Sequence, residues 1–94
     1  MEQFDFLLDG PDEIAVEIAK QIKNIRKRKK ITQKQMAARA NVSYASYRKF
    51  EETGMISLFS FIKVMMELGM IKDLEAVFEK PSYRSIEEVI NENK

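Results

Sequence analysis

The chain has 94 residues, about one domain's worth, with 45% hydrophobic and 33% charged residues, a balance that favours folding over disorder. It contains no cysteine and no histidine, which excludes disulfide frameworks, thiolate nucleophiles, Cys/His zinc sites and imidazole-dependent catalysis. No stretch approaches the roughly 20 apolar residues of a membrane span, and the acids Glu2 and Asp5 follow Met1 where a signal peptide would be basic. These features lead us to expect a soluble, cytoplasmic domain.

Residues 1–10 form an arm with an apolar cluster, Phe4, Phe6, Leu7 and Leu8, cut off by Asp9-Gly10-Pro11. A first helix is expected from Pro11, a favoured first helical residue, with Asp12 and Glu13 suiting the positive end of the helix dipole. Ile14, Ile18, Ile22 and Ile25 recur every three or four positions as one stripe, and the helix should end in the basic run 26–30. Thr32 reads as an N-cap with Gln35 completing a capping box, opening a short helix over Gln33–Ala40. Asn41 suits a left-handed corner, and Ser43 caps a third helix running to about Glu52, stopped by Gly54. Ser57 caps a fourth helix, Leu58–Leu68, and a fifth covers Ile71–Phe78. Ser85 and Glu88 repeat the capping-box pattern ahead of a short C-terminal helix in residues 81–94. The expected architecture is all-α: an arm at 1–10, a helical domain at 11–80, and a tail at 81–94.

The net charge of +1 conceals a strong segregation. Between Lys20 and Lys49 there are eleven basic residues and no acid, while six acids lie in residues 1–19 and nine in 51–94. A merely solvated lysine-rich face normally interleaves Glu and Asp. An acid-free block of thirty residues points instead to an anionic partner, most simply a phosphate backbone, with an anionic membrane surface as the competing reading.

Within this block, QKQMAARANVSYASYRKFEE (33–52) has a distinctive construction. Two short helices can cross steeply only where a small residue such as Ala37 lets the backbones approach. They also need a tight corner, here Asn41, and apolar plugs, here Met36, Ala40, Val42, Tyr47 and Phe50. Those are the requirements of a helix-turn-helix.

The longer stretch IRKRKKITQKQMAARANVSYASYRKFE resembles the phage-repressor (Cro/repressor, or XRE) helix-turn-helix family, and the likeness extends over about residues 13–78. The family pattern of an arginine in helix 1, a Thr-Gln start to helix 2 and a glutamate ending helix 3 is met by Arg26, Thr32-Gln33 and Glu51. SLFSFIKVMMELGMIKDLEAVF is similar to the family's fourth and fifth helices. The Phe-Glu-Glu-Thr-Gly junction and the Asp-Leu-Glu-Ala-Val-Phe ending resemble small bacterial regulators, some encoded beside toxin kinases as antitoxins.

The resemblance implies a five-helix repressor-like domain that reads the major groove of double-stranded DNA as a transcriptional regulator, most simply a repressor. It implies a phosphate contact for Gln33, with Lys34 beside it, and a groove-facing set of Ser43, Tyr44, Ala45, Arg48 and Lys49. Arg48 and Lys49 suit guanine O6 and N7, while Ser43 suits a phosphate and Tyr44 either a phosphate or a thymine methyl. Solvation alone is the alternative for Arg48 and Lys49. The family pairs the positions of Arg26 and Glu51 in a largely buried salt bridge; the alternative for Arg26 is one more phosphate contact. Asn41 stands where a glycine is usual, and Tyr47 is bulkier than the usual Ile or Val. Tyr44 and Ala45 replace glutamines of well-known members, so no known operator sequence transfers.

In the fourth helix, Leu58, Phe61, Met65 and Leu68 form an expected core stripe, while Phe59, Ile62, Met66 and Met70 form a second on a neighbouring face. A chain of this size cannot easily bury both, so the second stripe is an expected homodimer interface. The alternative is cover by the arm or by helix 85–92. Nothing pairs a nucleophile with a base, and no Gly-rich phosphate loop exists, so neither an enzyme nor a metal or organic cofactor is expected. A membrane-surface helix would need a broader apolar face than the isoleucine stripe offers. The main rival is a protein-binding module, such as an antitoxin that uses the same fold to hold a toxin protein.

Overall fold

The computed structural model describes residues 9–79, and among them the chain is five helices without a strand. These are α1 (Pro11–Arg28), α2 (Gln33–Ala40), α3 (Tyr44–Thr53), α4 (Leu58–Glu67) and α5 (Ile71–Glu79). The apolar arm cluster Phe4 to Leu8 and the expected C-terminal helix lie outside the described residues.

Local chemistry sets the boundaries. Gly10 precedes α1 in an extended conformation without a side-chain cap, and Pro11 occupies the first turn, where a missing N–H costs nothing. Asp12 and Glu13 sit in the first turn and Arg26, Lys27 and Arg28 in the last, each complementing the dipole. Thr32 and Gln35 form the reciprocal capping box of α2, and Ser43 and Ser57 each accept a backbone N–H at the start of α3 and α4.

Three helix ends share one solution, in which a left-handed residue lets two backbone N–H groups fold back onto the last carbonyls. At α2 the residue is Asn41 (φ 58°), with Val42 N–H on the Ala37 carbonyl at 2.9 Å. At α4 it is Gly69, with Met70 N–H on the Met65 carbonyl at 2.8 Å. At α1 it is Lys30 (φ 58°), with Ile31 N–H on the Arg26 carbonyl at 3.2 Å. A lysine gives no turn signal, so this corner was hidden in the basic run.

Helix α1 packs on α3, α2 packs on both α3 and α4, and α5 contacts α4. The core is Ala19 and Ile22 of α1, Met36, Ala37 and Ala40 of α2, Tyr47 and Phe50 of α3, with Val64, Met65 and the adjoining Leu68 from α4. Tyr47 and Phe50 lie with ring centroids 6.0 Å apart, and Phe50 meets Phe61 edge-on at 6.0 Å. Phe50, which is buried, contributes about 1.5–3 kcal/mol by its burial.

The expected stripe of α4 is shifted. Leu58 is 71% exposed, and Val64, absent from that stripe, is wholly buried. The inward row is Phe61, Val64, Met65 and Leu68, spaced i, i+3, i+4 and i+7, and Leu58 lies a turn before it at the first helical position. Ile14, Ile18 and Ile25 are only half-buried, and Ala19 and Ile22 are the apolar residues of α1 that are buried. In α5 only Leu74 packs against the core, while Val77 and Phe78 stand exposed.

Gly54 ends α3 with φ +80°, its N–H donating to the Phe50 carbonyl at 2.7 Å. A Cβ at this glycine would stand 2.5 Å from the carbonyl carbon of Ala15 and 2.7 Å from its Cβ. The end of α3 therefore touches the α1 backbone, and glycine is required for both conformation and space.

Candidate nucleic-acid interface

Two helix N-termini and one helix face make up the candidate surface. At α2, Thr32 Oγ1 accepts from Gln35 N–H at 3.1 Å, and Gln35 Oε1 accepts from Thr32 N–H at 2.9 Å. The first intrahelical bond runs from Met36 N–H to the Thr32 carbonyl at 2.9 Å. Gln33 and Lys34 thus keep backbone N–H groups outside the helical ladder, at the positive end of the dipole. At α3, Ser43 Oγ accepts from Ser46 N–H at 3.0 Å, leaving Tyr44 and Ala45 in the same position. Ser43 uses a lone pair as a cap and keeps its hydroxyl proton for donation.

Helix α3 divides cleanly. Tyr47, Phe50 and Glu51 are buried, while Tyr44, Ala45, Arg48, Lys49 and Glu52 are exposed at the spacing of one helical face. Ser46, absent from the sequence-based set, is exposed as well. Lys34 Nζ lies 5.5 Å from the centroid of the Tyr44 ring, which joins the start of α2 to the start of α3. Arg48 Nε is 3.4 Å from Glu52 Oε1, and both side chains are more than half exposed, so the pair is loose and solvent-screened.

Below this surface, Arg26 and Glu51 form a two-pronged ion pair between α1 and α3. Arg26 Nε donates to Glu51 Oε2 at 2.7 Å, and Nη2 donates to Oε1 at 3.0 Å. Arg26 Nη1 donates to the Ile31 carbonyl at 2.7 Å, and both residues of the pair are buried. A charged fork of this kind is geometrically demanding and fixes the approach of the two helices. The half-buried Gln33 amide also belongs to this cluster, with Nε2 donating to Glu51 Oε1 at 2.9 Å. Its polar residue type carried no sequence signal for that bond.

Burial pushes the Glu51 carboxyl up, but the Arg26 fork, the nearby Tyr47 hydroxyl and the Gln33 amide outweigh it and hold it below the usual carboxylate range. The Tyr47 hydroxyl is buried beside this pair without a well-formed hydrogen bond. Burial first, and the Glu51 carboxylate second, push its pKa up.

On α4, Phe59 and Met66 are 71% and 62% exposed, Ile62 is half-buried, and Met70 beyond the helix packs against the core. Lys63 lies over the Phe59 ring at 5.0 Å and donates to the Asn41 carbonyl at 2.7 Å, bracing the corner between α2 and α3.

No helix among the described residues is long and apolar enough to cross a membrane. A family model described as helix-turn-helix matches residues 22–77, more than half of the chain. Neither a curated protein nor a solved structure matches it. The match runs from the middle of α1 to near the end of α5 and so takes in the capped corner at Asn41 and the exposed face of α3. The chain belongs to the helix-turn-helix family of DNA-binding domains, of the phage-repressor (XRE) type.

Proposed function

We propose that this chain is a cytoplasmic transcriptional regulator, acting as a repressor, that binds double-stranded DNA sequence-specifically with α3 in the major groove. The carrying observation is the exposed face of α3, where Arg48 and Lys49 follow Tyr44 and Ala45 by one turn beside the free N–H groups of two helix N-termini. Arg48 and Lys49 read guanine edges, and Arg48 exchanges its loose contact with Glu52 for a base. Tyr44 meets a thymine methyl or a phosphate, and the small Ala45 admits the groove wall. Gln33, Lys34 and Ser43 bind phosphates and so set register without reading sequence. Neither cofactor nor metal enters this scheme, and no enzymatic step is part of it.

The exposed Phe59 and Met66, with the half-buried Ile62, favour a protein contact in addition, while Met70, expected in the same stripe, is turned to the chain's own core. A second copy is the simplest partner. A homodimer presents two α3 helices to successive major grooves, about 34–36 Å apart. The alternative occupant of this surface is a toxin protein, in which case the chain is an antitoxin. Selection of bound duplexes from a random pool tests the reading: a two-fold-symmetric consensus is expected. Recovery of unenriched sequence, with binding to a co-purified protein only, overturns it in favour of the antitoxin.

A further inference from the structure

The Glu51 carboxylate accepts three hydrogen bonds, two from the Arg26 fork and one from the Gln33 amide. Gln33 is the first residue of α2, and the carbonyl of Ile31, two residues before it, accepts from the same Arg26 at 2.7 Å. One guanidinium and one carboxylate therefore hold both the backbone entering α2 and the first side chain of α2. A carboxylate accepts only, so it dictates which end of the Gln33 amide turns toward it. The NH₂ group faces Glu51 with one hydrogen engaged, and its second hydrogen is left for another acceptor.

We infer that Glu51 is a positioning residue for DNA binding: by orienting the Gln33 amide it presents the remaining Nε2 hydrogen to a phosphate oxygen at the start of α2. The inference rests on the reading of Gln33 as a phosphate contact. Neither Glu51 nor Arg26 touches DNA in this arrangement. Orientation matters because an amide free to turn presents its oxygen to the phosphate as readily as its NH₂ group. An oxygen facing a phosphate is repelled.

The sign of one substitution separates positioning from bulk electrostatics. Glu51→Gln removes a negative charge near the bound phosphates, which by charge alone strengthens DNA affinity. As a positioning loss it weakens affinity, because a glutamine amide cannot accept from Arg26 and Gln33 as a carboxylate does. The experiment is a cycle of Glu51→Gln, Gln33→Ala and the double variant. Each is titrated with a selected and a scrambled duplex under conditions where circular dichroism shows full folding. The expected result is about a fivefold loss for Glu51→Gln, the worth of one hydrogen bond, equal on both duplexes and absent in the Gln33→Ala background.

Tighter binding by Glu51→Gln, or a loss that persists undiminished in the Gln33→Ala background, overturns the positioning role alone. Wild-type affinity for Gln33→Ala overturns the phosphate reading of Gln33 and the positioning role with it. Should Glu51→Gln not fold, the wild-type protein answers by nuclear magnetic resonance of the Gln33 side-chain amide. One hydrogen protected in the free protein and the other shifting on addition of a short duplex is expected. Two hydrogens exchanging at the rate of a solvated amide overturn the inference.

Discussion

Gly54→Ala tests the packing of α3 on α1, which sets the angle of the proposed recognition helix. Two costs are separable. The first is conformational, since an L-residue at φ +80° costs about 1–2 kcal/mol where glycine costs little. The second is steric, since the new Cβ falls 2.5 Å from the Ala15 carbonyl carbon and 2.7 Å from its oxygen. Both are backbone atoms that no side-chain rotation can move, so α1 or α3 must shift, at about 1–3 kcal/mol for overpacking. The total is about 2–5 kcal/mol, a large part of the 5–15 kcal/mol typical of a domain. Gly69→Ala is an internal control: its φ is +71°, yet nothing lies within 4 Å of the added Cβ, so it carries the conformational cost alone. Urea denaturation followed by far-ultraviolet circular dichroism should place Gly54→Ala about 1–3 kcal/mol below Gly69→Ala. Equal losses for the two variants would refute the close contact of α3 with α1.

Arg26→Met leaves the Glu51 carboxylate buried without its partner and should cost about 3 kcal/mol in urea unfolding, while the double variant Arg26→Met/Glu51→Leu recovers most of it. A loss under about 1 kcal/mol for the single variant would show that the pair is effectively solvated. The lowered Glu51 pKa also fixes a pH dependence. The folded state binds this proton less readily than the unfolded chain, so the pair's contribution is complete above the unfolded carboxyl pKa of about 4.3 and is lost as pH falls through the lower folded value. The double variant should lose stability less steeply than wild type below about pH 4, and equal acid slopes would contradict this. Phe59→Glu/Ile62→Glu should give a folded monomer with poor affinity for the selected duplex. If sedimentation shows wild type already monomeric, free at tens of micromolar and on its DNA, the homodimer is wrong.

The helical order was readable because each helix carries its own punctuation. Thr32 with Gln35, Ser43 and Ser57 mark starts, and Asn41, Gly54 and Gly69 mark ends, each by a local bond or a positive φ that a neighbour in sequence cannot override. The Lys30 corner was not readable, because a left-handed conformation is uncommon for a residue other than glycine and lysine is not a type that signals it. The burial pattern of α4 was partly hidden for a related reason. Seven of its ten residues are apolar, so periodicity alone fits more than one inward face, and packing against the other helices buries Val64 and leaves Leu58 exposed. In the candidate site, Arg48 and Lys49 were visible as basic residues following a cap. The bond from Gln33 to Glu51 spans eighteen positions between two polar residues, and no periodicity or spacing encodes such a pair.

The central claim is that α3 reads DNA. Wild type, Arg48→Ala and Lys49→Ala should be titrated with the selected and a scrambled duplex across a salt series. Wild-type log affinity should fall linearly and steeply with log salt, as counterion release requires. A side chain that contacts a base should, on truncation, lose about 5- to 150-fold on the selected duplex and far less on the scrambled one. Wild-type affinity of both variants for both duplexes, or binding indifferent to salt, would contradict the assignment of α3 to the groove.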